Sequence, residues 1–442
     1  MFGFVFWFLV TAFNPDTTAP DYAWTEMGAN NRQIVRVITR EKTCPTIQVN
    51  GKPHPLTPRG ENPPPNFDVL VCECDLPQNT QTVGFQGKPL PVVKRKPRRI
   101  AIIGDTGCRI LNIEGIVDVQ NCNGVKGYGT PWPFAQVADA VAAGKPDLII
   151  HLGDYHYREF PCPEGNKGCA GPYGNNWPAW EADFFAPARN LLAAAPWVFI
   201  RGNHESCSRA WRGWFYLLDP GPLPANPWQS DQCPMISPAY GLSFTDLHLL
   251  VQDSANVPHS PGNDPKGKAL VGQYAASYTR LNSLASADRE NWLLTHEPIW
   301  GIQPGKTEQG TELFPLQLTL QAALKQTAAG AFSPHIGLLL SGHVHLFEAL
   351  NFTDGRPPMM IIGNSGTKRS PAITPEVLAQ SNILKTLGVT PENFHTEDAF
   401  NYAMAEATPA GWQVTLYQLD GSISQSFLVK NKQLQPKSPP KK

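Results

Sequence analysis

At 442 residues, with 36 Lys and Arg against 37 Asp and Glu, the chain has a formal net charge of -1. This gives no bulk electrostatic reason to bind nucleic acid or an anionic membrane. Apolar residues make up 41% of the sequence, enough for a sizeable core, and the length favours two domains over one. The 44 prolines and 37 glycines, beside only 17% charged residues, point to long ordered loops on a scaffold rather than to a disordered chain.

The first segment, residues 1–19, opens with "MFGFVFWFLVTAF". It is too short for a membrane-spanning helix and suits the apolar part of a secretory signal, although it lacks a basic leader. A buried N-terminal strand is the other reading. No later run is long enough to cross a bilayer.

Residues 20–98 read as a small all-β domain. "RQIVRVIT", "TIQVNG" and "FDVLVCEC" are short strand patterns, and the prolines of "PHPLTPRGENPPPN" exclude regular ladder pairing between them. The basic stretch "PVVKRKPRR" reads as a linker of solvated charge.

From Arg99 the pattern changes. The runs "RIAIIGD", "DLIIHLGD", "WVFIRGN", "LHLLVQDS", "NWLLTHE", "IGLLLSGH" and "PMMIIGNSG" are continuous apolar strands of the kind covered on both faces. "PWPFAQVADAVAAGKP" and "DFFAPARNLLAAAP" are amphipathic crossovers between them. "AYGLSFTD" and "GWQVTLYQLDGSISQSFLV" alternate as antiparallel strands do. An α/β catalytic domain with mixed sheets is therefore expected over 99–430, followed by a disordered tail at 431–442.

The nine cysteines favour an oxidising compartment, because several fall in local pairs across loops: Cys108 with Cys122, Cys162 with Cys169, Cys207 with Cys233. Cys44 can reach Cys72 or Cys74, and one thiol is left over. No CxxC pair is matched by a second, which disfavours a structural zinc site. A secreted or periplasmic location is expected.

The apolar runs end in a consistent set of polar residues. Asp105 ends the first, Asp154 the second, Asn203 the third and His296 a later one, while His343 and His345 follow "LLLSG". Strand ends are where α/β folds place ligands. Each of these residues alone has an ordinary structural reading as a turn, a cap or a core histidine. "GHVH" says more, since residues two apart in an extended segment face the same side. Taken together in order, the five segments converge on one metal centre.

The order "GDTG", "GDYHY", "GNHE", "LLTHE", "GHVH" resembles the calcineurin-like metallophosphoesterases over roughly residues 99–366. The purple acid phosphatases are the branch it is most similar to, marked by a tyrosine three residues after the second aspartate, here Tyr157, and by "GNHE" at 202–205. The sequence departs from that pattern at Leu293, where valine is more usual, and in "REFPCPEGNKGC", a loop that bears on the substrate pocket. The resemblance implies a four-layer α/β/β/α sandwich. It also implies that Asp105, Tyr157 and His345 hold one metal, that Asn203, His296 and His343 hold a second, and that Asp154 bridges them. The implied ions are Fe(III) with Fe(II), Zn(II) or Mn(II), and phenolate from Tyr157 is a hard anionic ligand suited to trivalent iron.

His204 is the candidate to contact the phosphate and protonate the leaving oxygen, and Glu205 the candidate to orient it. Tyr155, His156 and Glu159 read as packing or supporting residues. Asp253 reads as a cap. Trp177, Trp180, Trp211 and Trp214 could line a cleft but fit core packing better. "NFT" at Asn351 matches a glycosylation sequon, and "GNSG" at 363–366 suits a loop near the site.

The expected activity is hydrolysis of phosphomonoesters, small phosphate esters, by a metal-bound hydroxide. Phosphodiester hydrolysis on the same core is the rival. A secreted binding module with a structural metal, and a redox iron protein, are weaker alternatives, because carboxylate-rich centres of this kind are usually catalytic.

Overall fold

The computed structural model describes residues 21–437 apart from 224–225, 263 and 309, so the apolar N-terminal segment lies outside the described residues. Two large sheets pack face to face. The first has eleven strands, and at its centre Arg99–Ile103, Leu148–His151, Trp197–Phe199 and Tyr22–Gly28 run parallel. The second has seven strands, with Leu247–Val251, Glu290–Leu294, Ile336–Ser341 and Met359–Ile362 parallel at its centre. Antiparallel strands flank both parallel blocks.

The alternation of side chains along each strand explains the layering. Ile100, Ile102, Leu148 and Ile150 point into a core shared with Leu249, Trp292, Leu294, Leu338, Leu340 and Met360 of the second sheet. Their neighbours Ala101, Ile103 and Ile149 face outward onto the helix Phe134–Ala143 and an aromatic cluster. Leu250, Leu293, Leu339 and Met359 likewise face the helices Pro265–Leu284 and Leu318–Lys325. The result is helix, sheet, sheet, helix, which requires the continuous apolar runs seen in the sequence.

The N-terminal region is all β, as expected, and has a small core of its own around Val35, Val37, Ile47, Val49 and Phe85. Its strands Tyr22–Gly28, Arg32–Thr39 and Leu70–Asp75 also extend the eleven-stranded sheet. Buried Arg36 ties this region inward. Its guanidinium lies 3.1 Å from Glu26 and 2.6 Å from Glu73, and it donates to the Leu217 carbonyl at 2.9 Å.

Two local expectations are corrected. The proline-rich segment does pair: Lys52–Pro55 lies along Thr46–Val49 and Thr57–Pro58 along Cys72 and Glu73. Both are edge strands, where a proline can sit without a ladder partner. Of the tail expected to be disordered, residues 431–437 are structured, and 438–442 lie outside the described residues. Gln433–Pro436 forms the outer strand beside Ile423–Lys430, because Leu434 buries its side chain and exchanges two 2.8 Å hydrogen bonds with Asn351. Asn351 is thereby buried, which removes its sequon from the surface.

The disulfides are Cys44–Cys72, Cys108–Cys122, Cys162–Cys169 and Cys207–Cys233, with Cys74 free. Among the described residues no helix is long and apolar enough to cross a membrane.

Candidate metal centre

The ends of the parallel strands of both sheets meet at one cleft of about 980 Å³. From the first sheet come Asp105, Asp154, Tyr157, Asn203 and His204; from the second come His296, His343 and His345. Asp105, Asp154 and His343 have φ of 55°, 61° and 71°, left-handed values that non-glycine residues seldom adopt. Such strain persists only where the surroundings enforce it, and it concentrates at functional sites. Gly153 and Gly202 allow the close approach. A Cβ on Gly153 would stand 2.5 Å from His296 Nδ1, and one on Gly202 2.1 Å from Asp154 Oδ1.

Donor atoms of Asp105, Asp154 and His345 lie within 4.8 Å of one another. The Tyr157 hydroxyl sits among them, 2.7 Å from Asp154 Oδ2, 3.1 Å from Asp105 Oδ1 and 2.9 Å from His345 Nε2. A phenol has one proton and can serve one of these acceptors. A cation satisfies all of them at once.

The second group is built alike. The Asn203 amide oxygen lies 2.9 Å from His296 Nε2 and 3.1 Å from both His343 Nδ1 and Asp154 Oδ2. These atoms all bear lone pairs, so the amide is satisfied either by turning its nitrogen inward or by a cation among the lone pairs. The histidines are oriented for the second arrangement. His296 Nδ1 is 2.8 Å from the Leu152 carbonyl and His345 Nδ1 is 2.9 Å from that of Lys368, which places the proton on Nδ1 and leaves Nε2 free toward the cleft. His343 is held from the far side by Glu297, 3.2 Å from its Nε2, and Glu297 accepts from Gln317 at 2.6 Å.

The electrostatics favour ligation by two of the three imidazoles and oppose it at the third. Burial pushes the pKa of His343 and of His345 down to about 3, keeping both imidazoles in the neutral, ligating form. Burial also acts against charge on His296, but Asp154 beside it outweighs this and raises its pKa to about 10. A proton would thus have to leave His296 for a metal to bind there. The residues present fit a pair of cations, with carboxylate, phenol, amide and imidazole donors of the kind hard and intermediate metals take.

His204 stacks on the Tyr157 ring at 3.6 Å between centroids, with Nε2 3.9 Å from Asp154 and Nδ1 3.5 Å from Glu159. The expected partner of His204 is Glu205, and here the structure differs. The Glu205 carboxylate accepts instead from the backbone N–H groups of Asp154, Tyr155, His156 and Gly202, pinning the two ligand loops together. Four N–H donors outcompete an imidazole for those oxygens. Glu159 takes the place expected for Glu205 and pairs with Arg209.

Other residues fall where the sequence suggests. His156 turns away from the cleft and stacks on Trp180. The four tryptophans are all buried in the outer core and none lines the cleft. Asp253 caps, accepting from Ser237 and Ala255 N–H groups and from Arg201. The 363–366 loop packs on the Asp105 loop, and Thr367 N–H donates to the Asp105 carbonyl at 2.8 Å. Asp183 and Arg209 carry no sequence signal, and Glu297, although it closes "LLTHE", has no role assigned from the sequence. Asp183 binds the N–H groups of Cys108, Tyr157 and Arg158, joining two ligand loops from a helical turn outside every motif.

Fold and site together define a metal-dependent phosphoesterase of the hydrolase class. The calcineurin-like phosphoesterase family model matches residues 98–347, and the chain belongs to that family. Among solved structures it is similar to PhoD, with a TM-score of 0.54 at 13% identity over 95% of this chain and 92% of that one. It is also similar to GAP50, titled the anchor in the inner membrane complex of Plasmodium, with a TM-score of 0.43 at 13% identity over 78% of this chain and 90% of that one. No curated protein matches the chain.

Proposed function

We propose that this protein is an extracytoplasmic phosphomonoesterase of the purple acid phosphatase type. Asp105, Tyr157 and His345 hold one metal, Asn203, His296 and His343 a second, and Asp154 lies between them. The observation that carries this reading is the Tyr157 hydroxyl set among Asp105, Asp154 and His345. A phenolate there favours Fe(III), with Fe(II), Zn(II) or Mn(II) as its neighbour. When bound, the two cations supply Lewis acidity toward the phosphoryl oxygens and activate a water.

The chain's own residues do the rest. Asp154 draws both groups of donors to one point. His204 protonates the leaving oxygen; burial lowers its pKa, and Asp154 and then Glu159 favour its charged form against that burial. The rim of the cleft carries Arg109, Lys306, Lys368 and Arg369 against two carboxylates, Asp118 and Asp398, with which Arg109, Lys368 and Arg369 pair, leaving an excess of positive charge toward an anionic substrate. The four disulfides support folding in an oxidising compartment.

An absorption spectrum with metal analysis tests the reading on wild type and Tyr157→Phe. A visible charge-transfer band, iron in the protein and loss of the colour in the variant are expected. A colourless wild type holding two zinc or manganese ions would remove the Fe(III)–phenolate centre and favour the phosphodiesterase.

A further inference from the structure

The Asn203 amide stands between two unlike surroundings. Its oxygen faces the lone pairs of His296, His343 and Asp154, and its nitrogen faces Nη1 of Arg209 at 3.2 Å. With the oxygen committed to a metal, two N–H donors meet on the other side with no protein acceptor between them among the described residues. Arg209 cannot turn away, because its Nε and Nη2 are both engaged by the two oxygens of Glu159. Nη1 is the part of the fork left over. The side chain is 29% exposed and lines the cleft beside His204.

We propose that Arg209 Nη1 and Asn203 Nδ2 together bind one non-bridging oxygen of the substrate phosphate, and that this pair selects terminal phosphate over phosphodiester. The inference rests on the reading of Asn203 as a metal ligand. A monoester presents three non-bridging oxygens and up to two negative charges, whereas a diester presents two oxygens and one charge. If the two metals each engage one non-bridging oxygen, a charge-assisted donor pair beyond them has a third to bind in a monoester and none in a diester. Guanidinium suits the task because its planar fork holds Glu159 and still presents an N–H in a fixed direction. Glu159 thus serves as a positioning residue for both Arg209 and His204.

The test compares metal-loaded wild type, Arg209→Met and Arg209→Lys. Metal content, the orthophosphate dissociation constant by calorimetry, and kcat/KM for p-nitrophenyl phosphate and bis(p-nitrophenyl) phosphate are measured. In Arg209→Met, orthophosphate affinity and monoester kcat/KM should fall by about 10- to 100-fold, diester kcat/KM by less than about threefold, with metal content unchanged. Arg209→Lys should fall between, since it keeps the charge and loses the fork. Equal losses for both esters, or orthophosphate binding unchanged, would overturn the proposal. If Arg209→Met fails to fold or to hold metal, Arg209→Lys decides on the same two ratios. A wild type that hydrolyses neither ester overturns the phosphatase reading, while orthophosphate calorimetry still decides the role of Arg209.

Discussion

The two sheets contribute different chemistry to one cleft. The eleven-stranded sheet delivers the oxygen donors, Asp105, Asp154, Tyr157 and Asn203, and the seven-stranded sheet delivers the imidazoles of His296, His343 and His345. Neither sheet alone assembles a complete donor set. The centre forms where the sheets meet, so the dry interface of Ile, Leu, Val and Met side chains between them also sets the positions of the donors. Packing and metal binding are therefore coupled, and that coupling can be tested from either side.

The largest effect should come from the residue that touches both halves. Asp154 lies 2.7 Å from the Tyr157 hydroxyl and 3.3 Å from His296 Nε2. Asp154→Asn removes the charge and should lower phosphoesterase activity by about 10³-fold or more, with loss of metal measurable by elemental analysis. Retention of both metals would mean that each group of donors holds its ion without the carboxylate between them. A smaller effect separates the faces of one strand. Leu340 points into the interface between the sheets and Leu339 to the outer helices, and both are fully buried. Each Leu→Ala change should cost about 2–5 kcal/mol in denaturant unfolding. Metal affinity should weaken for Leu340→Ala alone; equal weakening for both would break the link between interface and centre.

The smallest effect concerns a buried carboxylate in each sheet. Glu26 of the first has Arg36 3.1 Å away, and burial nevertheless raises its pKa to about 7. Glu348 of the second has only the Ile302 N–H for one oxygen, and burial raises its pKa to about 8. A raised acid favours the protonated fold, so this contribution to stability is complete below the usual carboxylate pKa and is lost as pH rises through about 8. Glu348→Gln does not ionise and should gain on wild type between pH 5 and 8, reaching on the order of 1–2 kcal/mol at the upper end. Melting curves across that range that stay parallel would show that Glu348 does not titrate in the fold.

Of the residues that meet at the cleft, Asp105, Asp154, Asn203 and His296 stood out because they close separate apolar runs and His343 with His345 because they share one, whereas Tyr157 follows no run and stood out only through the family resemblance. That both faces of each sheet are covered was legible in the continuous apolar runs, while the four layers came from the resemblance: Ile100 and Ala101, or Leu338 and Leu339, differ by one position and serve different cores. What could not be read are the groups that act across the fold. Asp183 reaches the Cys108 N–H from 75 residues away, and Glu159 reaches Arg209 from 50. Of the two readings of Glu205, a partner for His204 or an acid at a helix N-terminus, the structure shows the second, and adjacency to His204 says nothing of the four N–H groups that folding brings to it. The tail was misread because one leucine and a distant asparagine, rather than local composition, decide whether it is ordered.

Every cysteine lies at or before Cys233, and three of the disulfides begin within a few residues of Asp105, Tyr157 and Asn203. The loops that carry oxygen donors are thus covalently stapled, and those that carry histidines are not. Where the chain is synthesised then matters to what it can bind. A host compartment that keeps thiols reduced would yield a chain whose imidazole half is intact and whose oxygen half is untethered, so that protein yield and metal loading would part company during production.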